Sequence, residues 1–420
     1  MSAEPAARPT AGEPVPSGRR RVARAAVEFL PPFVVALLIL PFVIAYGHLW
    51  PWKPSTIDLQ VYVYAVKDML AGKDIFATTT PFWNLYFIYP PIAAVLMTPL
   101  AFGPYTMWQV LWTAGLVWAQ QSVLRRCRAP RGWKLGLIGI AVLVAMEPIR
   151  TTLGYGQVNT ILMAFVVADM LPDRATRWKR FPQGVLTGLA ASIKLTPALF
   201  VVFDFLIGKK KTALWAIAGF VGFTAIGAIF LPHQTLSFWT GLAGGDTRTA
   251  GPIYAGNQSL LGVFFRLAGG GGTKLTLIGL GFAGIVALIG AIVASTWWRS
   301  GQKVFAVAIV GMCTCLASPL SWTHHYVWVL PLAMAVMVDR LPRWVRIWAG
   351  AWVLWICACL PLAALPYGGS FERNYTAFQQ VVANLGPVMG AGLVIALGIR
   401  MVLRSMDRVP APPTPVGSAA

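Results

Sequence analysis

The chain has 420 residues, 57% hydrophobic and only 11% charged, against about 25% charged for a soluble domain. Its net charge of +20 alone would admit nucleic acid as a partner. Stretches of about twenty apolar residues recur along it, however, the length a helix needs to cross a bilayer, and this excludes a soluble protein. No alternating strand pattern of a barrel occurs, and lipid demands that backbone groups be satisfied within the segment. The expected fold class is all-α: a polytopic membrane protein of about twelve transmembrane helices with juxtamembrane helices on its outer side.

Residues 1–26 read as a cytoplasmic tail, disordered where Ala, Pro and Gly dominate and ending in the run Arg19, Arg20, Arg21 and Arg24. The transmembrane domain is expected over 27–404, and 405–420 reads as a second cytoplasmic tail. The first apolar segment, 27–47, is followed by no small-x-small cleavage site, so it reads as a retained anchor.

Next comes STIDLQVYVYAVKDMLAGKDIF, residues 55–76. Leu59, Tyr62, Val63, Val66, Met69 and Leu70 recur at helical spacing opposite Gln60, Lys67, Asp68 and Lys73. The pattern predicts an amphipathic interfacial helix with Asp58 at its head. Asp58 is either a helix-capping carboxylate or a general base held at the membrane surface. The apolar run 89–105 is too short to span and is expected to lie against the membrane.

Further spans are expected at 105–125, 134–148, 157–171, 212–231, 274–297, 302–319, 325–338, 343–361 and 383–404. Between them, 183–207 carries cationic clusters on both flanks. Two short helices broken at SIKLTP, with Pro197 at the break, keep both clusters on one side. On this topology 25 of the 34 Lys and Arg residues fall on the inner face, as the positive-inside rule requires. The basic balance is therefore a topology signal with membrane lipids as its partner, and no nucleic acid is implied. The N-terminus is placed in the cytoplasm, and the long loops 48–104 and 232–273 outside, with 149–156, 320–324 and 362–382.

The candidate chemistry gathers on that outer face. TTLGYGQVNT, residues 151–160, offers Gln157 and Asn159, which either pack or bind sugar hydroxyls; Glu147 and Arg150 just before are placed to pair. Lys194 lies in an apolar stretch, where an ionisable group either snorkels or serves a function such as holding a lipid phosphate. Asn257, Gln258 and Arg266 lie on the second long loop. SPLSWTHHYVWVLP, residues 318–331, brings His324 and His325, half of the four histidines present. Neighbours on a helix point about 100° apart, so the pair does not chelate one metal, whereas one imidazole could meet a phosphate or sugar. The five cysteines have no metal-ligand spacing and read as packing residues. There is no P-loop or dinucleotide fingerprint.

An outward Asp after the first span, then YPP, GQVN, IKLTP, GNQSL and SPLSWTHH in that order, resembles the C superfamily of integral-membrane glycosyltransferases. More narrowly the pattern is similar to the polyprenol-phosphate-mannose-dependent α-1,2-mannosyltransferases of actinobacteria. The resemblance implies an inverting transfer of mannose from polyprenyl-phosphate mannose to a glycolipid acceptor, a phosphatidylinositol mannoside or a lipomannan. It implies Asp58 as base, with Tyr62, Arg150, Gln157, Asn159, Lys194, Asn257, Gln258, His324 and His325 as substrate-binding residues. No cofactor and no metal are expected, because basic side chains can offset a lipid phosphate. The implied location is the plasma membrane, with the site on the outer face. A transporter of a lipid-linked sugar is the rival reading, disfavoured by the lack of a clear internal repeat.

Overall fold

The computed structural model describes residues 18–46, 56–81, 84–172, 181–243, 251–368 and 371–406. It is all-helical. The helices are α1 (Gly18–Tyr46), α2 (Ile57–Leu70), α3 (Pro91–Leu96), α4 (Tyr105–Arg126), α5 (Trp133–Ala145), α6 (Glu147–Tyr155), α7 (Asn159–Met170), α8 (Val185–Ile193), α9 (Leu199–Leu206), α10 (Lys210–Phe230), α11 (Pro232–Ala243), α12 (Leu260–Leu267), α13 (Thr273–Arg299), α14 (Lys303–Ala317), α15 (Val329–Val338), α16 (Arg343–Ala358), α17 (Leu360–Ala364) and α18 (Ala377–Met406). Among the described residues, β pairing is limited to two isolated bridges, Thr79 with Tyr86 and Asn257 with Trp322.

Length and apolarity alone give four membrane-crossing helices among the described residues: α10, α13, α16 with α17, and α18. A fifth arises if α5 and α6, bent by 82°, are one broken span. Others are short: α7, with 12 residues, rises about 18 Å, against a hydrocarbon core of about 30 Å.

Several expected loops are helices. Residues 149–155 belong to α6, because Pro148 suits the first turn of a helix and Glu147 faces the positive end of its dipole. The loop 232–273 contains α11 and α12, and Ser259 caps α12 by accepting from the Gly262 N–H at 3.1 Å. The N-terminal tail ends earlier than expected, since α1 opens at Gly18 and takes in the arginine run. The break in 183–207 is present: α8 stops at Ile193, and a turn at Thr196–Ala198 containing Pro197 leads into α9. The cluster Arg174, Arg177, Lys179 and Arg180, and most of both tails, lie outside the described residues.

Carboxylates hold the basic loop between α4 and α5. Glu28 of α1 takes Arg125 at 2.5 Å and the Gly132 N–H at 2.7 Å. Arg128 pairs with Asp339, whose other oxygen accepts from the Phe305 N–H at 2.8 Å. Small residues let helices approach: a Cβ on Gly188 of α8 would strike the Ala216 carbonyl of α10.

Candidate active site

Helix α2 begins under strain. Thr56, its N-cap, has φ 48° and makes no side-chain cap, a conformation that costs a non-glycine residue of order 1–3 kcal/mol. The surroundings impose it. The Thr56 N–H donates to Gly154 O at 2.8 Å, and its hydroxyl meets Tyr105 Oη at 2.7 Å and Gln109 Nε2 at 3.0 Å. Asp58 is thus the second helical residue and not the cap. Gly156 makes the close approach possible. It ends α6 at φ +71°, and a Cβ there would lie 2.7 Å from Leu59 Cβ.

Asp58 is half-buried. Apolar packing pushes its carboxyl up to about 7, with the Gln157 amide and the Lys194 ammonium pulling the other way. Gln157 reaches Asp58 in a fixed orientation. Its Oε1 accepts from Tyr62 Oη at 3.1 Å and Tyr89 Oη at 2.9 Å, so its NH₂ is the end that faces the carboxylate. The two phenol oxygens are 3.1 Å apart, so the single Tyr62 proton is shared between Gln157 and Tyr89.

Tyr89 links this network to a second one, with its ring centroid 6.0 Å from Lys194 Nζ. Lys194 is the extended residue that ends α8. Its Nζ donates to Asn159 Oδ1 at 3.0 Å and lies 3.1 Å from His325 Nε2. Asn159 Nδ2 and Thr152 Oγ1 both donate to the His324 carbonyl, at 3.1 and 2.8 Å, fixing the histidine turn. A cavity of about 30 Å³, lined by Asn159, Lys194, Thr196, Ser321, His325 and Trp328, opens beside the ammonium. It has room for one or two waters. Ser321 Oγ is buried beside the Cys315 thiol.

The structure therefore brings Asp58, Tyr62, Gln157, Asn159, Lys194 and His325 together. His324 turns elsewhere: its ring stands at 88° to that of His325 and packs edge-on against Tyr155 at 5.4 Å. Asn257 and Gln258, expected to bind substrate, hold the chain instead. Asn257 donates to Pro252 O and Pro319 O and accepts from the Ser259 and Ser321 N–H groups. Gln258 donates to Ala255 O and Ala383 O. Arg266, fully buried, ties the same turn to α18 by donating to Tyr254 O, Asn257 O and Asn384 Oδ1. Glu147 and Arg150, expected to pair, are within electrostatic reach of each other, while Glu147 Oε1 accepts from Thr151 and Thr323 and Arg150 Nη1 donates to Val144 O at 2.6 Å.

Tyr89, Thr152 and Tyr155 were not anticipated as site residues. Tyr89 lies 68 residues from Gln157 on a segment read as a plain membrane-surface helix, and only its place before Pro90 marks it. Among the described residues, no group of three His, Cys, Asp or Glu side chains is arranged to hold a metal.

The sequence profile of glycosyltransferase family 87 matches residues 87–319, which include Tyr89, Gln157, Asn159 and Lys194 but neither Asp58 nor the histidine pair. The chain is 32% identical over 371 residues to the polyprenol-phosphate-mannose-dependent alpha-(1-2)-phosphatidylinositol pentamannoside mannosyltransferase of Mycolicibacterium smegmatis, covering 84% of this chain and 85% of that protein. It is 30% identical over 329 residues to the polyprenol-phosphate-mannose-dependent alpha-(1-2)-phosphatidylinositol mannoside mannosyltransferase of Mycobacterium tuberculosis, covering 72% and 73% of the two chains. No solved structure gives a significant match.

Proposed function

The chain belongs to glycosyltransferase family 87, and on that premise we propose that it moves mannose from polyprenyl-phosphate mannose to a phosphatidylinositol mannoside, forming an α-1,2 linkage with inversion. The observation that carries this reading is the placement of Asp58. A half-open carboxylate pushed up to about 7 stands one amide away from a tyrosine pair that borders the half-buried cation Lys194.

Asp58 accepts the proton of the acceptor hydroxyl as its oxygen attacks the anomeric carbon of mannose. Attack comes from the face opposite the phosphate, so a β-linked donor gives an α product. The bond from the anomeric carbon to the phosphate oxygen breaks, and the polyprenyl phosphate leaves with the electron pair. Lys194 and His325 stabilise the charge that develops on that oxygen. The donor's lipid phosphodiester carries less charge than the diphosphate of a sugar nucleotide, so these side chains suffice without a metal.

In this reading the short helices complete the twelve-span arrangement of the C superfamily. The N-terminus is cytoplasmic, and the site faces outward from the plasma membrane. Both substrates are amphiphiles, which is why the base sits on a helix outside the spans.

The test is transfer of radiolabelled mannose by purified protein in detergent, with Asp58→Asn in parallel and the product linkage determined by methylation analysis. An α-1,2 product from wild type and near-background transfer by Asp58→Asn is the expected result. Full turnover by the variant would remove Asp58 from the mechanism, and a folded wild type that transfers to no mannolipid would remove the mannosyltransferase reading.

A further inference from the structure

Glu147 is a carboxylate with one half satisfied. It is 3% exposed, and its Oε1 accepts from Thr151 Oγ1 at 2.7 Å and Thr323 Oγ1 at 3.1 Å. Its Oε2 is buried, and the further neighbour that reaches the carboxylate is the Cys359 thiol, a weak donor. A buried acceptor left in this state is costly, so a donor belongs there when the protein works. His324 repeats the situation: it is 8% exposed, and its Nε2 has no described partner. Thr323, which donates to Glu147, is the residue next to His324 in the chain.

Aromatic rings surround this pair. Tyr155 packs edge-on against His324 and stands within electrostatic reach of both Asp58 and Glu147. Tyr254, also within reach of Tyr155, packs on Trp322 at 5.3 Å and on Tyr367 at 5.8 Å. All four aromatic residues keep part of their surface open.

Buried polar atoms awaiting hydroxyl partners, beside half-open rings that can take the C–H face of a pyranose, are the elements of a carbohydrate site. The two imidazoles touch edge-on, with centroids 4.8 Å apart, yet of this group neither Glu147 and His324 nor the four aromatic residues line the cavity beside Lys194 and His325. We propose that Glu147 and His324, with Tyr155 and the Tyr254–Trp322–Tyr367 aromatic cluster, form the subsite for the acceptor's mannosyl headgroup, separate from the Lys194–His325 cavity. The proposal rests on the transferase reading above. It names where the acceptor sits: Tyr155, a member of this subsite, is within electrostatic reach of Asp58, so the subsite adjoins the base. Glu147 and His324 are binding residues here and take no part in bond making.

The test uses Glu147→Gln, which keeps the Thr151 and Thr323 bonds but replaces the free acceptor by a donor, and Tyr367→Ala at the 37% exposed rim, where folding is not at risk. Purified full-length protein is titrated calorimetrically with methyl α-mannobioside, and acceptor and donor KM are measured separately. The expected result is at least tenfold weaker mannobioside binding and a tenfold higher acceptor KM in both variants, with donor KM within twofold of wild type. Wild-type mannobioside binding and acceptor KM in both variants would overturn the subsite, as would a donor KM that rises alongside the acceptor KM. Should wild type bind the mannobioside, Glu147→Gln fail to bind it, and neither transfer mannose, the subsite stands and the transfer reading falls.

Discussion

Lys194 and His325, 131 residues apart in the chain, meet with 3.1 Å between Nζ and Nε2. Lys194 Nζ, which also donates to Asn159 Oδ1, supplies the positive charge of the pair in the proposed transfer. Substituting Lys194→Met removes the charge facing the leaving phosphate and lowers kcat/KM about 10²- to 10³-fold, the usual effect of losing one transition-state charge stabiliser. Lys194→Arg restores little, because a planar guanidinium cannot keep both the Asn159 and His325 bonds in so small a cavity. Transfer by wild type is unchanged by EDTA, which single-turnover assays with and without chelator check.

Asp58 sets the pH profile. Its carboxyl sits at about 7, so the base form is scarce below that value. Log kcat/KM should rise with a slope near one up to about pH 7 and level off above it. Asp58→Asn should lose about 10²- to 10⁴-fold in rate and the slope with it.

Stability moves the opposite way. A folded-state pKa raised above the unfolded value means that stability is fullest at acid pH and falls as pH rises to about 7. Above pH 7, Asp58→Asn no longer holds a desolvated charge and should melt a few °C higher than wild type by scanning fluorimetry. At pH 4 the difference should vanish.

Tyr89 is the joint between base and cation. Tyr89→Phe removes its bonds to Gln157 and Tyr62 while keeping the ring against Lys194. One such bond is worth about 1 kcal/mol, so kcat should drop roughly fivefold to tenfold. Because Tyr62 and Tyr89 share one acceptor, the double variant Tyr62→Phe/Tyr89→Phe should lose less than the sum of the singles.

Arg266 is predicted to matter for stability more than for chemistry. Arg266→Met strands two carbonyls and the Asn384 amide, at a cost of about 3 kcal/mol or more. The folded fraction should show a lower melting temperature with near-normal KM values for both substrates.

The membrane class, the break near Lys194 and the segments that carry the site were all legible in the sequence, because apolar runs, cationic flanks and a proline are local signals. The loops that proved to be α6, α11 and α12 were not, since polar residues at helix ends look like loop composition. The roles of Asn257 and Gln258 were hidden for a related reason. An amide that binds sugar and one that satisfies carbonyls have the same letter, and only the four bonds made by Asn257 separate them. The division of labour between His324 and His325 depends on the turn at 323–328, whose kink at Tyr326 no helical periodicity announces.

The tie from Arg266 to Asn384 also orders biogenesis. The turn at 254–258 leans on Arg266 and, through Gln258, on Ala383, and both α18 contacts leave the ribosome more than a hundred residues after the turn itself. Insertion of the earlier helices can therefore precede the final set of this turn, and on the proposed function the site should be complete only once the last helix docks. A nascent chain arrested before residue 380 would be inserted yet cut readily by protease between 251 and 258, so that an unfinished copy sits silent in the bilayer instead of glycosylating out of turn.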